Sequence, residues 1–411
     1  MHIAVCAHDF YPDPGSGGTG RYVYETGRAL VERGHSVSVV TRRRGDAPVR
    51  NTIDGIDVYR YEVDVYGRDL PAVLDGLPDA AATVADHLGA VGTPSVVSFQ
   101  GPVTSALVDA LVPDDVPRDC TFHSPWPTEY AVKTGATESP TDEPREFHVE
   151  WRRAVEQYVL DRADGAVTLS EYMRDRLTET YDPPLATVIP GGVDADRFRP
   201  DAGEFDAMEP DSDGTAFLTV RRLTPRMGHE TLLSAFATVV ERRPDARLYL
   251  AGDGPHREAL EATAAELGIG DRTTFLGYVP DDDLPAAYAS ADVFVLPTRE
   301  LEGFGLATLE ALASGTPVVG TTVGATPELL GPLDRSDGLP ADVLVPADDE
   351  RALARRMLDW AEASDAELAA AEGTCRSYAR DKYDWDDTAA ALETRWESLA
   401  DGHSPDDGRA G

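Results

Sequence analysis

Two carboxylates, Glu302 and Glu310, lie near the start of a predicted helix. The run Val293–Leu296 before them is short, apolar and β-branched, which is typical of a fully buried parallel strand. The segment from Gly305 to Ala313 predicts a helix that is apolar on nearly all sides, and such a helix is buried. A buried carboxylate is costly unless something pairs with it. We therefore expect Glu310 to have a partner.

The glycines at the helix start, Gly303 and Gly305, leave backbone N–H groups free to face an anion. One carboxylate precedes this helix end, and the other lies about one and a half turns inside it. The arrangement suits a nucleotide sugar, with the pyrophosphate on the helix N-terminus, one Glu on sugar hydroxyls and the other on the ribose diol. The alternative, two solvated surface glutamates, is disfavoured by the apolar surroundings.

A group of arginines follows the predicted strand Ala216–Val220. Ligands bind at the ends of strands in a parallel sheet, where guanidinium groups could neutralise a departing diphosphate. Because neighbours on a strand alternate, Arg221 is expected on the surface or the opposite face. We therefore favour Arg222 as the functional residue.

Two ring residues are further candidates. His123 ends the predicted strand Cys120–His123, in a position expected to face a cleft between domains. It is interpreted either as a catalytic group or as a hydrogen-bonded structural residue. Tyr278 follows a predicted strand and is interpreted as a contact to the nucleotide base or as packing.

The segment from Gly15 to Gly20 matches G-x-G-x-x-G between a strand and a helix, and Arg42 to Arg44 end the next strand. This pattern would make the chain an NADP-dependent oxidoreductase. Two prolines, Pro12 and Pro14, do not suit the tight turn of a dinucleotide site. The favoured interpretation is a longer loop that brings Gly17 and Gly18 close to a ligand; a turn that merely needs glycine is the alternative.

The 411-residue chain is strongly acidic, with a formal net charge of −37 and a sequence pI near 4.4. This charge argues against nucleic acid or an anionic membrane as the primary partner. Lys133 and Lys382 are the only lysines. An Asp-rich, Lys-poor composition indicates a cytoplasm with molar salt, where the Debye length is about 3 Å. A high-GC genome is the alternative explanation for the missing lysines.

The three cysteines are scattered, which fits a reducing compartment and no disulfide framework. No apolar run reaches the roughly 18 residues of a membrane span, and the N-terminus reads as a strand rather than a signal peptide. We expect a soluble cytoplasmic protein, with peripheral contact at the inner face of the membrane left open. Oligomeric state cannot be derived from the sequence.

Strands and helices alternate through both halves of the chain, so the predicted fold class is α/β. Residues 1–195 are assigned to a first Rossmann-like domain and 196–380 to a second. A C-terminal helix over 381–400, which could pack back on the first domain, and a disordered tail over 401–411 complete the assignment.

Taken together, these segments resemble the retaining GT-B glycosyltransferases of family four, the group-one glycosyl transferases. The resemblance covers nearly the whole chain and is most specific from Glu302 to Pro317. It implies two doubly wound domains facing across a cleft. It also implies that Glu302 holds the donor hexose, Glu310 the ribose and the backbone N–H groups of Phe304 to Leu306 the diphosphate. His123 would contact the donor sugar.

One position departs from the family pattern R-L-x-x-x-K-G, because Met227 stands where the lysine is usual. Arg226, immediately before it, is the candidate replacement. The implied reaction is hexose transfer with retention at the anomeric carbon. No metal is expected, since Arg222, Arg226 and the helix end can stabilise the charge. Asp281–Asp283 is interpreted as an acidic turn rather than a metal site.

The leading hypothesis is a hexosyltransferase that uses a UDP- or GDP-linked sugar and no cofactor. Its acceptor is a glycan, a lipid-linked glycan or a small molecule. Two other classes stay open: the NADP-dependent oxidoreductase and a catalytically silent protein that binds sugar nucleotides.

Overall fold

A computed structural model describes residues 1–63, 70–134, 145–208, 214–334 and 338–402. The chain divides into two compact units. The first unit combines Met1–Pro190 with Trp385–Gly411, and the second is Gly191–Asp384. The chain therefore passes from the first unit to the second between 190 and 191, five residues before the boundary placed from the sequence. Of the predicted tail, 401 and 402 are helical, and 403–411 lie outside the described residues.

Within the described residues, the first unit contains an eight-stranded sheet of order β3-β4-β2-β1-β5-β6-β7-β8. All neighbouring strands are parallel except the β3–β4 pair. The strands are β1 His2–Cys6, β2 Ser36–Arg42, β3 Arg50–Ile53, β4 Ile56–Tyr61, β5 Val96–Phe99, β6 Arg118–Phe122, β7 Gly165–Thr168 and β8 Ala186–Val188. The first six helices are α1 Gly18–Glu32, α2 Leu70–Val91, α3 Pro102–Asp109, α4 Trp126–Thr134, α5 Arg145–Arg162 and α6 Glu171–Thr180.

The second unit contains, in its described part, a six-stranded parallel sheet of order β11-β10-β9-β12-β13-β14. Its strands are β9 Ala216–Val220, β10 Arg247–Ala251, β11 Thr273–Gly277, β12 Val293–Leu296, β13 Val318–Thr321 and β14 Leu344–Val345. Its helices are α7 His229–Arg242, α8 Arg257–Glu266, α9 Leu284–Ala289, α10 Leu306–Ala313, α11 Thr326–Leu330, α12 Glu350–Ala361 and α13 Asp365–Lys382. Short 3₁₀ turns span Asp206–Met208, Pro225–Met227, Gly270–Arg272 and Asp281–Asp283.

The sheets confirm the predicted α/β class with two domains of parallel strands. β5, β7, β12 and β13 are buried along their whole length, as expected for strands covered on both faces. Ser170 caps α6, because its hydroxyl accepts a hydrogen bond from the Met173 N–H at 3.1 Å.

The last helix, α14 (Trp385–Gly402), packs within the first unit against α1 and the start of β6. Arg33 donates to Glu393 at 2.7 Å, and Arg395 donates to both oxygens of Asp119 at 2.8 Å. Asp119 is buried and also accepts from the Trp396 indole at 2.9 Å. These polar contacts fix α14 to the sheet.

Each sheet has one place where the strand order reverses, and ligands bind beyond the strand ends at such places. In the second unit it lies between β9 and β12, and in the first between β1 and β5. None of the helices in the described ranges is both long and apolar enough to cross a bilayer.

Candidate active site

In the second unit the strand order reverses beside the segment that links β12 to α10. β12 lies between β9 and β13, so the chain after β12 leaves the sheet next to the chain after β9. Gly305 caps α10 with φ of 103°, a left-handed conformation that favours glycine. A Cβ there would also lie 3.2 Å from Leu329 and Thr308. The sequence therefore supplies glycine where the turn into the helix requires it.

The first turn of α10 leaves donors unused. No described residue accepts a hydrogen bond from the N–H of Leu306 or Ala307, and no side chain caps the helix. Phe304 packs its ring against Tyr383 at 6.2 Å, so only its backbone is available. This is the anion-ready helix end that the sequence predicts around Gly303 to Leu306.

Glu302 lies just before this helix end and is only 7% exposed. Its Oε2 accepts hydrogen bonds from Arg221 Nη2 and, at 3.3 Å, from Thr298 Oγ1. The other oxygen, Oε1, accepts no hydrogen bond from any described residue. Glu302 is therefore not a solvated surface residue, and one of its oxygens is free to receive a ligand hydroxyl.

The backbone of Glu302 is held on two sides. Its carbonyl oxygen accepts from the Ala325 N–H at 2.8 Å, beside Gly324 in the left-handed region with φ of 61°. On the other side Arg226 Nη1 donates to the Leu301 carbonyl at 2.8 Å. Leu301 itself has φ of 54°, a strained conformation for a side chain of this type. The position of the Glu302 carboxylate is thus fixed by its neighbours.

Glu310 lies in the second turn of α10 and is half-buried. Its Oε2 accepts from the Tyr288 hydroxyl at 2.9 Å, so the expected partner is present. Tyr288 is fully buried, and burial followed by the Glu310 charge raises its pKa well above the usual value. The hydroxyl stays protonated and keeps donating to the carboxylate.

The three arginines after β9 differ from what alternation along a strand predicts. The expectation for Arg221 was wrong, because its side chain is 10% exposed and reaches Glu302. β9 ends at Val220, so the alternation rule does not extend to the next residue. Arg222 is exposed, and its side chain forms no hydrogen bond or ion pair with a described residue. The side chain of Arg226 donates to the backbone carbonyls of 300 and 301.

Tyr278 follows β11 and is 77% exposed. Packing does not account for such a side chain, and the contact to a base stays a prediction. The Asp281–Asp283 segment forms the expected acidic turn, in which Asp281 pairs with Arg197.

In the first unit His123 directly follows β6 and donates through Nε2 to Gln100 Oε1 at 2.9 Å. Gln100 is oriented by a second hydrogen bond, from its Nε2 to Ser98 Oγ at 3.2 Å. The ring also meets Tyr22 edge-on at 5.1 Å. Burial lowers the pKa of His123 to about 4, opposed by the Glu129 charge. His123 is therefore neutral near pH 7, with Nδ1 as a hydrogen-bond acceptor.

Gly17 and Gly18 stand at the start of α1, where Gly17 is the N-cap without a side-chain cap. A Cβ at Gly17 would meet no atom within 4 Å, so packing does not require glycine there. That openness is compatible with a ligand approaching the backbone, as predicted for this loop.

Comparison with known proteins decides the family. The model described as Glycosyl transferases group 1 matches residues 204–376, and the model described as Glycosyltransferase Family 4 matches residues 16–197. Glycogen synthase from Mycobacterium tuberculosis (strain ATCC 25618 / H37Rv) is 30% identical over 373 residues, which cover 84% of this chain and 86% of that protein. The chain belongs to the group-one, family-four glycosyltransferases.

Other members of the family match over different lengths. A GDP-mannose-dependent alpha-(1-6)-phosphatidylinositol monomannoside mannosyltransferase from the same organism is 36% identical over 186 residues, or 43% of this chain and 48% of that protein. The chain therefore spans about half the length of this relative. The solved structure of sucrose-phosphate synthase from Thermosynechococcus elongatus has a TM-score of 0.78 and 23% identity, with coverage of 98% of this chain and 100% of that chain. At that identity the likeness shows the fold alone.

The NADP interpretation gains no support in this glycosyltransferase. The arginines that would read a 2′-phosphate are engaged with nearby carboxylates: Arg42 and Arg44 with Asp9, and Arg43 with Glu62. Arg44 also donates to the Gly15 carbonyl at 3.1 Å. These contacts tie the second strand to the glycine loop.

Sequence reasoning missed four residues that position the candidate groups: Arg221, Thr298, Tyr288 and Gln100. One signal for Arg221 was present in the sequence. Met227 stands where the family pattern has a lysine, so another residue has to supply the positive charge. The other three carry no local signal. Their roles depend on which strand ends become neighbours.

Proposed function

We propose that this protein transfers a hexose from a nucleotide-diphosphate sugar to an acceptor hydroxyl, with retention at the anomeric carbon and without a metal ion. The main support is the Glu302 carboxylate, held by Arg221 beside the open N-terminus of α10. A carboxylate with one free oxygen next to unused N–H groups can hold both parts of such a donor.

In the proposed complex the donor diphosphate accepts from the backbone N–H groups at Phe304 to Leu306. Glu302 Oε1 accepts from a hydroxyl of the hexose. Glu310 accepts from the ribose diol. The resemblance assigns His123 to the donor sugar, and the neutral ring described above can accept a hydrogen bond but cannot act as a cation.

Transfer breaks the bond between the anomeric carbon and the diphosphate oxygen, and the electron pair stays on the diphosphate. The acceptor oxygen forms its bond on the same face of the sugar, and its proton passes to the departing phosphate. The charge that develops is stabilised by the α10 N-terminus and by the exposed guanidinium of Arg222. No protein base is required by this route.

The donor is a GDP- or UDP-linked hexose. GDP-mannose is the first to test, because the 36% identical relative is named as GDP-mannose-dependent. The acceptor is a glycan, a lipid-linked glycan or a small molecule. We propose that the reaction takes place in the cytoplasm, where the protein can also contact the inner face of the membrane peripherally. The net charge of −37 disfavours nucleic acid as a partner.

The test is to incubate the purified chain with GDP-mannose or UDP-glucose in molar KCl and EDTA and to measure nucleoside diphosphate release and sugar transfer. Product anomers are assigned by NMR. Glu302→Gln and Arg222→Ala should each raise the activation free energy by about 3 kcal/mol. The exposed residue two positions earlier supplies a matched control, Glu300→Gln, which should keep wild-type rates.

Wild-type rates in Glu302→Gln would refute the site. Donor binding without hydrolysis or transfer would instead favour the silent binding protein. NADPH binding without nucleoside-diphosphate binding would favour the oxidoreductase.

A further inference from the structure

The cation that lies beside Glu302 is Arg221, not either of the arginines that follow it. Arg222 is exposed, and Arg226 donates to backbone carbonyls, including that of Leu301 at 2.8 Å. Arg221 has a side chain that is 10% exposed and forms an ion pair with the 9% exposed side chain of Glu302. The positive charge that pairs with Glu302 is therefore supplied by a residue outside the R-L-x-x-x-K-G pattern.

Arg221 has donors that the protein leaves unused. The hydrogen bonds of its side chain all come from Nη2, to Glu302 Oε2, Thr298 Oγ1 and Met227 Sδ. Nε is buried without an acceptor, and Nη1 donates to no atom of the residues that the structure describes. Buried donors without acceptors are costly, so an oxygen-rich anion is the natural complement to this guanidinium.

A second residue with unused nitrogens lies within the electrostatic reach of Arg221. His229, the first residue of α7, is 2% exposed, and neither ring nitrogen has a hydrogen-bond partner. Burial and then the Arg221 charge lower its pKa to about 3, so the ring is neutral near pH 7 and carries one N–H. Both residues thus hold unsatisfied N–H donors.

The contact with Met227 explains why the lysine of the family pattern is missing. Arg221 Nη2 lies 3.1 Å from Met227 Sδ, so the guanidinium occupies the surroundings of the side chain at 227. A lysine at 227 would bring a second positive charge against the first. We propose that Arg221 contacts the donor diphosphate and replaces the cation that the group-one pattern carries at position 227. The inference rests on the proposed function.

A purely structural role for Arg221, in which it only orients Glu302, makes a different prediction. Glu302 is assigned to the hexose, which free nucleoside diphosphates lack. With Glu302 present, removing Arg221 would also leave an unpaired carboxylate that repels the diphosphate. In a Glu302→Gln background no such charge remains, so a purely structural role would leave the affinities for GDP and UDP unchanged there. Losing a guanidinium that contacts phosphate would weaken the binding of GDP and UDP but not that of guanosine and uridine.

The experiment measures the dissociation constants of GDP, UDP, guanosine and uridine by calorimetry in molar KCl, where only direct ionic contacts persist. The variants are Arg221→Met, Met227→Lys and the double variant, each made in the wild type and in a Glu302→Gln background that removes the repulsion of an unpaired carboxylate, with melting curves for each. Arg355→Met, an exposed arginine of α12, controls for the loss of one charge.

In the Glu302→Gln background Arg221→Met should weaken binding of the preferred diphosphate by about 10- to 100-fold, as expected for charge-assisted hydrogen bonds, and change nucleoside binding less than about twofold. Adding Met227→Lys to that variant should restore most of the affinity. Arg355→Met should bind like the wild type. If folded Arg221→Met binds the diphosphate undiminished in the Glu302→Gln background, or if the double variant recovers nothing, the inference is overturned.

Met227→Lys alone keeps the inference falsifiable if Arg221→Met does not fold. Because Arg221 already supplies the positive charge at the diphosphate site, Met227→Lys alone should not tighten diphosphate binding. A tenfold gain in affinity would mean that the wild-type site lacks a cation, which contradicts the inference. A wild-type protein that binds neither GDP nor UDP would overturn the proposed function together with this inference. Binding by the wild type with no change in Arg221→Met would overturn the inference alone.

Discussion

A side chain at position 324 should displace Glu302 without altering any proposed ligand-binding residue. A Cβ on Gly324 would lie 2.2 Å from the Glu302 carbonyl oxygen and 2.8 Å from its nitrogen. Real Cβ contacts do not fall below 3.0 Å, so Gly324→Ala requires the two backbones to separate by about 0.8 Å. The Ala325 N–H to Glu302 hydrogen bond of 2.8 Å lies at the same contact and would be strained by that movement.

The magnitude follows from two separate costs. Alanine at a φ of 61° costs about 1–2 kcal/mol of stability because of its left-handed backbone. Displacing a group that positions the substrate, here the Glu302 carboxylate, by about 1 Å lowers the rate about 100-fold. We therefore expect kcat/KM to fall about 100-fold, while the melting temperature falls about 2–4 °C for each kcal/mol of stability lost.

Gly268→Ala is the matched control for Gly324→Ala. Gly268 has a similar φ of 71°, but a Cβ there would meet no atom within 4 Å. It should lose similar stability from backbone strain and no activity. Initial rates of diphosphate release and thermal melts compare the two variants. If Gly324→Ala is as active as Gly268→Ala, the packing of this loop does not position Glu302.

Three further predictions test other parts of the chain. Because the folded pKa of His123 is about 4 and its ordinary value is 6.5, the unfolded chain binds the proton first, and stability present above pH 6.5 is lost as the pH falls toward 4. Between pH 7 and pH 5 the wild type should therefore lose about 2 kcal/mol more unfolding free energy than His123→Gln, measured by urea titration; equal losses would contradict the burial of this ring. Tyr288→Phe removes the donor to Glu310 and should weaken nucleoside diphosphate binding by about 1 kcal/mol in calorimetry; unchanged affinity would separate Glu310 from the nucleotide. With a net charge of −37, the protein should melt at a lower temperature in about 0.1 M than in about 1 M KCl, because the Debye length grows from about 3 to about 10 Å; equal melting would count against adaptation to molar salt.

The elements that sequence reasoning predicted best are those whose own residues determine them. β9 and β12 have the bounds expected from short apolar runs. The order of the strands in the sheet, by contrast, could not be predicted from local sequence. β9 lies between β10 and β12 because of how the helices cover both faces of the sheet, and no local pattern indicates this arrangement.

The site shows the same division between local and tertiary information. Glu302, Gly305 and Glu310 could be predicted because the motif places them on one loop and one helix. Arg221 could not, because its direction depends on where β9 stops and on which loop lies beside it. Strand alternation gave the wrong answer one residue beyond the strand.

The ion pair between Glu302 and Arg221 resolves a conflict within the proposed site. A bare carboxylate beside a diphosphate would repel it, and at 4 Å such a repulsion is about 4 kcal/mol with an effective dielectric constant near 20. Pairing with Arg221 leaves Glu302 able to accept a sugar hydroxyl through Oε1 while the pair carries no net charge. The α10 N-terminus then keeps its attraction for the anion. In a chain with twice as many acidic as basic residues, 74 against 37, this attraction has to come from direct contacts rather than from the field of the whole protein.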